Sequence, residues 1–182
     1  MAFTRLAAAC ALVAILGIAR PAPAQPTATE ESVIAAFLLN FARFTEWPAD
    51  AISGGAPLVM CVADQRVAAA LETAARGRQV DGRRLDIRRV EPDVSLRPCA
   101  VLFVGRNAAD TLPEILAALA GTSVLTVSDA ESFAERGGVI QLFVEDGRMR
   151  FAINVQAAKA ARLALSAQLL SLARIVGKQA EQ

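Results

Sequence analysis

The sequence predicts an α/β fold, specifically a three-layer α/β/α sandwich built on a mainly parallel sheet. Two short apolar runs, at 58–64 and 99–105, are typical of strands that such a sheet buries on both faces. Helical patterns alternate with strand patterns along most of the chain. The last third changes to a hairpin and a further helical pattern, which predict an antiparallel C-terminal hairpin edge and a long C-terminal helix.

The N-terminus predicts a cleaved export signal that is not part of the fold. Arg5 provides a basic start, residues 6–19 form an apolar core too short to span a bilayer, and residues 22–24 read Ala-Pro-Ala, a cleavage signal. We therefore expect a Sec-type signal peptide at 1–24, cleaved after Ala24. The remaining chain, 25–182, is expected to form a single α/β domain.

The composition excludes several classes of function. Lysine and arginine number 19 against 18 aspartates and glutamates, so no basic surplus indicates nucleic-acid binding. The chain has no histidine and no tyrosine, and therefore lacks the commonest general base and the commonest metal ligand. Its serines have no histidine to activate them. We interpret the chain as a non-enzyme that needs no metal and no cofactor.

The first predicted element is a helix that begins after Thr29, a suitable N-cap, and ends at Trp47 and the proline after it. Phe37, Phe41 and Phe44 repeat at helical spacing and belong to one apolar stripe. We favour a helix that packs against the core. The alternative is a partner or dimer surface, because the aromatic stripe is wide.

The middle of the chain alternates strands and helices. Leu85 and Ile87 alternate with charged residues, which is typical of an edge strand that must resist pairing with other chains. We interpret the arginine cluster at 76–89 as this solvated edge, because acidic residues lie among the arginines and weaken a positive field. The predicted elements are a strand at 58–63, a helix at 67–75, strands at 84–90 and 99–105, a helix at 110–120, a strand at 124–127 and a short helix within 128–136.

The last third predicts a hairpin and one long helix. Strands at 139–144 and 149–153 flank an Asp-Gly pair, a strong hairpin signal. Asn154 can cap a helix over 155–176, whose leucines cover more than one stripe. The sheet would cover one side of this helix. We expect a second subunit or a partner protein to cover the other side.

Cys61 and Cys99 each lie in one of the two central strand patterns, and no other cysteine follows the signal peptide. An even number of cysteines in an exported protein predicts a disulfide. Such a crosslink would stabilise the fold by roughly 4 kcal/mol in a loop-entropy model. The pair is either a permanent staple or a redox-sensitive bond whose state alters a partner surface, and residue types leave both interpretations open.

A turn at Gly105, Arg106 and Asn107 follows the central strand, at the place where open α/β sheets bind ligands. Ordinary turn chemistry also explains these residues, and we favour that explanation because no G-x-G-x-x-G or Walker A pattern accompanies them. The alternative function is therefore a small-ligand binding or sensing protein that uses this crevice.

An ordered set of motifs resembles the YfiR-like family. Residues 40–48 read Asn-Phe-Ala-Arg-Phe-Thr-Glu-Trp-Pro, which is similar to the NFxxFxxWP opening of that family. The resemblance continues through nearly the whole of the chain after the signal peptide. The further matching segments are the strand of Cys61, the strand at 99–105, and residues 137–140, 149–154, 163–166 and 169–173.

The resemblance implies a small periplasmic α/β protein, often dimeric, that regulates by protein contacts. It implies repression of an inner-membrane diguanylate cyclase or sensor kinase through its periplasmic portion, with redox or envelope stress relieving the repression and raising cyclic-di-GMP and biofilm formation. Cys61 and Cys99 match one cysteine pair of the family. A second pair, expected near 129–143, is absent, and Ala152 replaces a common glutamate.

The expected partner or dimer surface combines residues of the first helix with residues of the C-terminal segment. After removal of the signal peptide we expect no membrane insertion, a homodimer, and no contact with nucleic acid. The residues predicted for this surface are Phe37, Phe41, Phe44, Trp47, Arg162, Leu163, Leu165, Leu169 and Leu172.

Overall fold

A computed structural model describes residues 28–91, 96 and 98–177. The predicted signal peptide and cleavage site lie outside these described residues. In chain order the elements are α1 (Glu30–Arg43), β1 (Thr45–Glu46), β2 (Leu58–Val62), α2 (Gln65–Ala75), β3 (Gln79–Val80), β4 (Arg83–Arg89), β5 (Val101–Val104), a 3-10 helix (Arg106–Thr111), α3 (Leu112–Ala118), β6 (Leu125–Ser128), β7 (Ile140–Glu145), β8 (Arg148–Asn154), α4 (Val155–Ala160), β9 (Ala164–Leu165), α5 (Ala167–Leu172) and β10 (Arg174–Val176).

The main sheet has eight strands in the order β10-β8-β7-β6-β5-β2-β4-β3. The five central neighbours, from β4 to β7, pair in parallel, whereas β7 with β8 and β3 with β4 pair antiparallel. The predicted mainly parallel sheet and its C-terminal hairpin are confirmed. The strand β10 pairs with β8 in parallel and lies outside the hairpin. A separate two-stranded ribbon joins β1 and β9.

Two apolar cores cover the two faces of the sheet, which makes the molecule a three-layer sandwich. On one face, strand residues such as Met60 and Phe103 pack with α1, α2 and residues of α4 and α5. On the other face, Cys61 and Leu102 pack with α3 and with Phe133. Because successive strand residues point to opposite faces, a strand buried on both faces reads as an unbroken apolar run.

The predicted C-terminal helix over 155–176 is wrong. Helix α4 ends at Ala160, and Arg162 adopts a left-handed conformation (φ 58°) that ends the helical path. Ser166 caps a separate short helix, α5, by accepting a hydrogen bond from the Leu169 backbone N–H (3.2 Å). The chain then becomes extended and forms β10. Leucines of several short elements follow one another in the sequence, and each element buries its own. In the sequence they therefore resemble a single helix with apolar residues on more than one side.

The predicted short helix within 128–136 is instead a series of turns. The Ser128 hydroxyl accepts a hydrogen bond from the Ala130 backbone N–H (3.0 Å), and Ser132 has a positive φ of 55° that a continuous helix does not allow. Phe133 remains fully buried. No helix within the described residues is long and apolar enough to span a membrane.

Candidate functional site

The central crevice lies at the carboxyl ends of β2, β5 and β6. Between β2 and β5 the strand order reverses, which is where open α/β sheets usually bind ligands. Asp64 follows β2 and caps α2 by accepting hydrogen bonds from the backbone N–H groups of Arg66 (2.9 Å) and Val67 (3.0 Å). At Gly105 a side chain would crowd Asp64, because a Cβ there would lie 3.1 Å from its Oδ2 atom. The glycine therefore allows β5 to end close beside β2.

The Arg106 guanidinium, which the sequence placed in this crevice, is held by two carboxylates. Its Nε donates to Asp129 Oδ2 (2.7 Å), and its backbone N–H donates to Asp129 Oδ1 (2.6 Å). The same side chain forms a salt bridge with Glu30 at the start of α1. Hydrogen bonding and charge attraction from Asp129, with a smaller contribution from Glu30, raise the pKa of Arg106 above its usual value.

The crevice is a cavity of about 140 Å³, which is smaller than the roughly 300–1,000 Å³ of typical ligand pockets. Most of the residues that line it are charged. Its acidic lining residues are Glu30, Glu31, Asp64 and Asp129. Within the described residues, no group of three or more cysteines, aspartates or glutamates could hold a metal ion. The arrangement orders the start of α1 against the sheet, because Glu30 and Glu31 both pair with arginines here.

The predicted disulfide between Cys61 and Cys99 is formed. Cys61 lies in β2, Cys99 lies just before β5, and their Cα atoms are 5.7 Å apart. The side chains belong to the core on the α3 face, with exposed fractions of only 1% and 4%. The bond crosslinks two neighbouring parallel strands and encloses α2, β3 and β4. A reductant can therefore reach the sulfur atoms only after local opening of this core.

The aromatic residues of the predicted surface are mostly packed inside the molecule. Phe41 is fully buried, and its ring contacts the rings of Phe37 (5.6 Å between centroids) and Phe151 (5.1 Å). The indole N–H of Trp47 donates to the backbone carbonyl of Ala100 (3.2 Å). Phe44 is half-buried. The favoured interpretation of a core-packing helix agrees with these contacts.

The C-terminal residues of the predicted surface are divided between core and solvent. Leu163 and Leu169 are buried in the core, Leu165 is half-buried, and Leu172 is 70% exposed. Arg162 is exposed and forms a two-pronged ion pair with Asp50 (2.5 and 3.0 Å). The nine residues therefore do not form one continuous surface. Of the leucines in the set, only Leu172 is fully available to a partner.

The sequence did not identify the acidic partners of Arg106 and Arg162. Asp129 follows β6 directly, so its position at the carboxyl end of a parallel strand was a usable signal. Glu30 is the first residue of α1, and its place in the sequence carries no pattern that links it to Arg106. Asp50 lies in the long loop before β2 and carries no pattern that links it to Arg162, which is distant in sequence.

Fold and site together define a disulfide-bonded α/β sandwich whose small central crevice is lined by its own ion pairs. The chain belongs to the YfiR/HmsC-like family, whose family model matches residues 31–174. Proteins of this family are known as periplasmic regulators. The predicted resemblance is thus confirmed.

The other comparisons add the fold alone. No curated protein matches the chain. A solved structure of a conserved domain protein from Vibrio cholerae O1 biovar eltor str. N16961 is similar, with a TM-score of 0.55 and 12% sequence identity. The match covers 80% of this chain and 60% of the Vibrio chain, so the present chain spans less than two thirds of that protein.

Proposed function

We propose that this chain is exported to the periplasm and represses an inner-membrane signalling enzyme by binding the periplasmic portion of that enzyme. We propose a diguanylate cyclase as the target, and a sensor kinase is the alternative target. The observation that carries the proposal is membership of a family of periplasmic regulators over residues 31–174. The disulfide supports it, because such bonds persist in the oxidising periplasm.

We further propose that the disulfide links repression to the redox state of the envelope. Reduction to two thiols would break the covalent connection between β2 and the segment just before β5. The connection from β4 to β5 would then no longer be held beside β2. Because both cysteines are buried, this control would operate through opening of the α3-side core. Reduction would then relieve the repression and raise cyclic-di-GMP.

The test is recovery of the target from the envelope. A tagged chain, crosslinked in living cells, should co-purify with a membrane protein that has a periplasmic portion and a cyclase domain. Cyclic-di-GMP should fall when the chain is overproduced and rise when its gene is deleted. Recovery of no membrane signalling protein, or unchanged cyclic-di-GMP in both strains, would contradict the proposal. The Cys61→Ala/Cys99→Ala variant lacks the bond permanently, so it should fail to repress with or without reductant; full repression by this variant would contradict the redox proposal alone.

The exposed part of the predicted surface is proposed as the contact with the partner or with a second copy in a homodimer. Leu172 is 70% exposed, so Leu172→Asp should change the free energy of unfolding by less than about 0.5 kcal/mol. The same change should weaken target capture or dimerisation, measured by co-purification and by light scattering. The exposed Arg136→Asp on the turn after β6 is the control, and equal effects of the two substitutions would count against this surface.

The alternative function is recognition of a small ligand at Gly105, Arg106 and Asn107. Its support is the position of the crevice where the strand order reverses. A ligand would have to replace the carboxylates of Asp129 and Glu30 on Arg106. It predicts a ligand-dependent rise in melting temperature that Arg106→Ala abolishes. A metabolite screen without any shift would leave regulation by protein contact as the better explanation.

A further inference from the structure

One edge of the main sheet is incomplete. The outermost strand β3 has two residues, and these pair with Arg83 and Arg84 of β4. Within the described residues no strand pairs with the outer side of β4 from Leu85 to Arg89. The sheet therefore presents a five-residue section of edge beside the end of β3.

The hydrogen-bond register shows which backbone groups this edge presents. The Val90 N–H donates to the Val62 carbonyl (3.1 Å), and Val62 lies opposite Arg89. In a parallel ladder alternate residues of a strand bond to the same neighbour. Leu85, Ile87 and Arg89 therefore direct their backbone N–H and C=O groups away from β2. Leu85 lies beside the end of β3, so Ile87 and Arg89 are the residues whose groups face the incomplete edge.

A groove of about 470 Å³ runs beside this edge, between the end of α2 and β4. Leu85 and Ile87 form part of its floor and are only half-buried. Their side chains pack against the core on the α1 and α2 face. An added strand would thus meet both unpaired backbone groups and some apolar surface.

Several arginines line the groove without a carboxylate partner among the described residues. Arg76, Arg78 and Arg84 line it, all three are exposed, and none takes part in a salt bridge of the described chain. The one acidic residue of the lining, Glu72, is already bound by Arg89 through two hydrogen bonds (2.9 and 3.0 Å). The groove therefore carries a local positive charge despite the near-neutral whole chain.

We propose that this edge binds an extended acidic segment of another protein, which adds a strand to β4 and places carboxylates on these arginines. A second copy of the chain fits less well, because its own edge carries the same arginines and like charges repel across a strand pair. The charges that prevent self-association thus select an acidic strand. The proposal goes beyond the regulatory role above, since the segment need not belong to the membrane enzyme.

A capped octapeptide of alternating glutamate and valine is the probe, and the same peptide with lysine for glutamate is its control. Amide hydrogen exchange and NMR titration of the purified chain at low salt give the readout. The glutamate peptide should slow exchange at Ile87 and Arg89 and shift the signals of 85–89. Added salt should weaken binding. Equal binding of the lysine peptide, or no protection at Ile87 and Arg89, would overturn the proposal.

Two pairs of variants separate backbone pairing from charge. Arg89→Pro and Arg89→Ala both lose the contact with Glu72, but only the proline variant also loses the outward backbone N–H. The proline variant should therefore bind the peptide about threefold more weakly than the alanine variant does. Arg76→Glu/Arg78→Glu should weaken binding at least about tenfold. The exposed Arg148→Glu on the distant hairpin should not. Equal affinities within either comparison contradict that part of the proposal. Protection that rises with protein concentration alone would identify a second copy as the occupant.

Discussion

Single side chains at close contacts decide how the segment after β6 folds. Phe133 is buried at the bottom of the α3-side core, and the backbone N–H of Gly138 donates to its carbonyl (3.0 Å). A Cβ at Gly138 would lie 2.1 Å from the Phe133 ring, far inside van der Waals contact. The ring is enclosed and cannot move aside without disturbing the core. Gly138 is therefore needed for space and not for an unusual backbone angle.

The substitution Gly138→Ala should lower the free energy of unfolding by about 1–3 kcal/mol, because the added methyl group overpacks the core. Urea unfolding followed by the fluorescence of Trp47 measures the loss. Gly54→Ala is the matched control, since a Cβ there would meet nothing within 4 Å. Equal stabilities of the two variants would show that the ring relaxes freely.

The ion pair of Asp50 with Arg162 predicts a dependence on pH. The hydrogen bond from Arg162, the largest influence, holds the pKa of Asp50 below its usual value. The ion pair therefore stabilises the fold above the ordinary carboxyl pKa near 4, and the contribution is lost as the pH falls through the lower folded-state pKa. The effect is small because both groups are exposed.

Melting temperatures of wild type and Asp50→Asn should accordingly differ near pH 6 and converge as the pH falls through the lowered folded-state pKa of Asp50. The control is Asp110→Asn, which removes an exposed carboxylate outside the described salt bridges. A constant difference across the whole pH range would contradict the assignment to Asp50.

At the scale of elements, Asn154 connects the hairpin to the C-terminal segment. Its side-chain oxygen accepts from the Ala157 N–H (2.9 Å) at the start of α4, and its amide donates to the Ala134 carbonyl (2.7 Å). The residue is buried, and its bond to the Ala134 carbonyl lies away from water. The cap was predictable from the sequence, whereas the bond to the turn segment was not.

Replacing Asn154 with alanine should lower the free energy of unfolding by about 1–3 kcal/mol, because a helix cap is lost and the buried Ala134 carbonyl keeps only the longer hydrogen bond from the Gly137 N–H (3.3 Å). Ser166→Ala, which removes only the cap of α5, should cost less, about 1 kcal/mol. Denaturant unfolding of both variants gives the comparison. A larger loss in the Ser166 variant would contradict the second role of Asn154.

The strongly patterned elements were predictable from sequence, and the short ones were not. The six predicted strands and helices α1 and α2 are found, because their apolar patterns extend over several residues. The strands β1, β3, β9 and β10 have two or three residues each, too few for any period to show. The end of α4 depends on Arg162 adopting a positive φ beside Asp50, a tertiary contact that a local pattern does not encode. The same holds for Glu30 beside Arg106, whereas Asp129 directly after a strand could have been found from the sequence.

At the scale of the whole molecule, the centre of the sheet is a set of parallel strands joined by crossover connections. One disulfide crosslinks them. The chain passes from β4 to β5 by a crossing connection, of which the described residue Leu96 is buried in the α3-side core. The disulfide fixes the end of this crossing beside Cys61. The disulfide stabilises the fold mainly by lowering the conformational entropy of the unfolded chain.

The variant Cys61→Ala/Cys99→Ala should lose about 4 kcal/mol of stability, the loop-closure value for a separation of 38 residues, less any strain relieved. Urea unfolding of the oxidised chain, the reduced chain and the variant measures it. The reduced chain and the variant should agree within about 1 kcal/mol. A loss below about 1 kcal/mol would indicate that the bond adds little to the folded state.

The same bond sets how far the chain can be drawn out. If the molecule is pulled from its two ends, the bond bypasses the stretch between Cys61 and Cys99, which are 38 positions apart in the sequence. Each residue spans at most about 3.4 Å when extended, so the oxidised chain stretches about 120 Å less than the reduced chain before it becomes taut. Force spectroscopy in the presence and absence of a thiol reagent would read the state of the bond as a length.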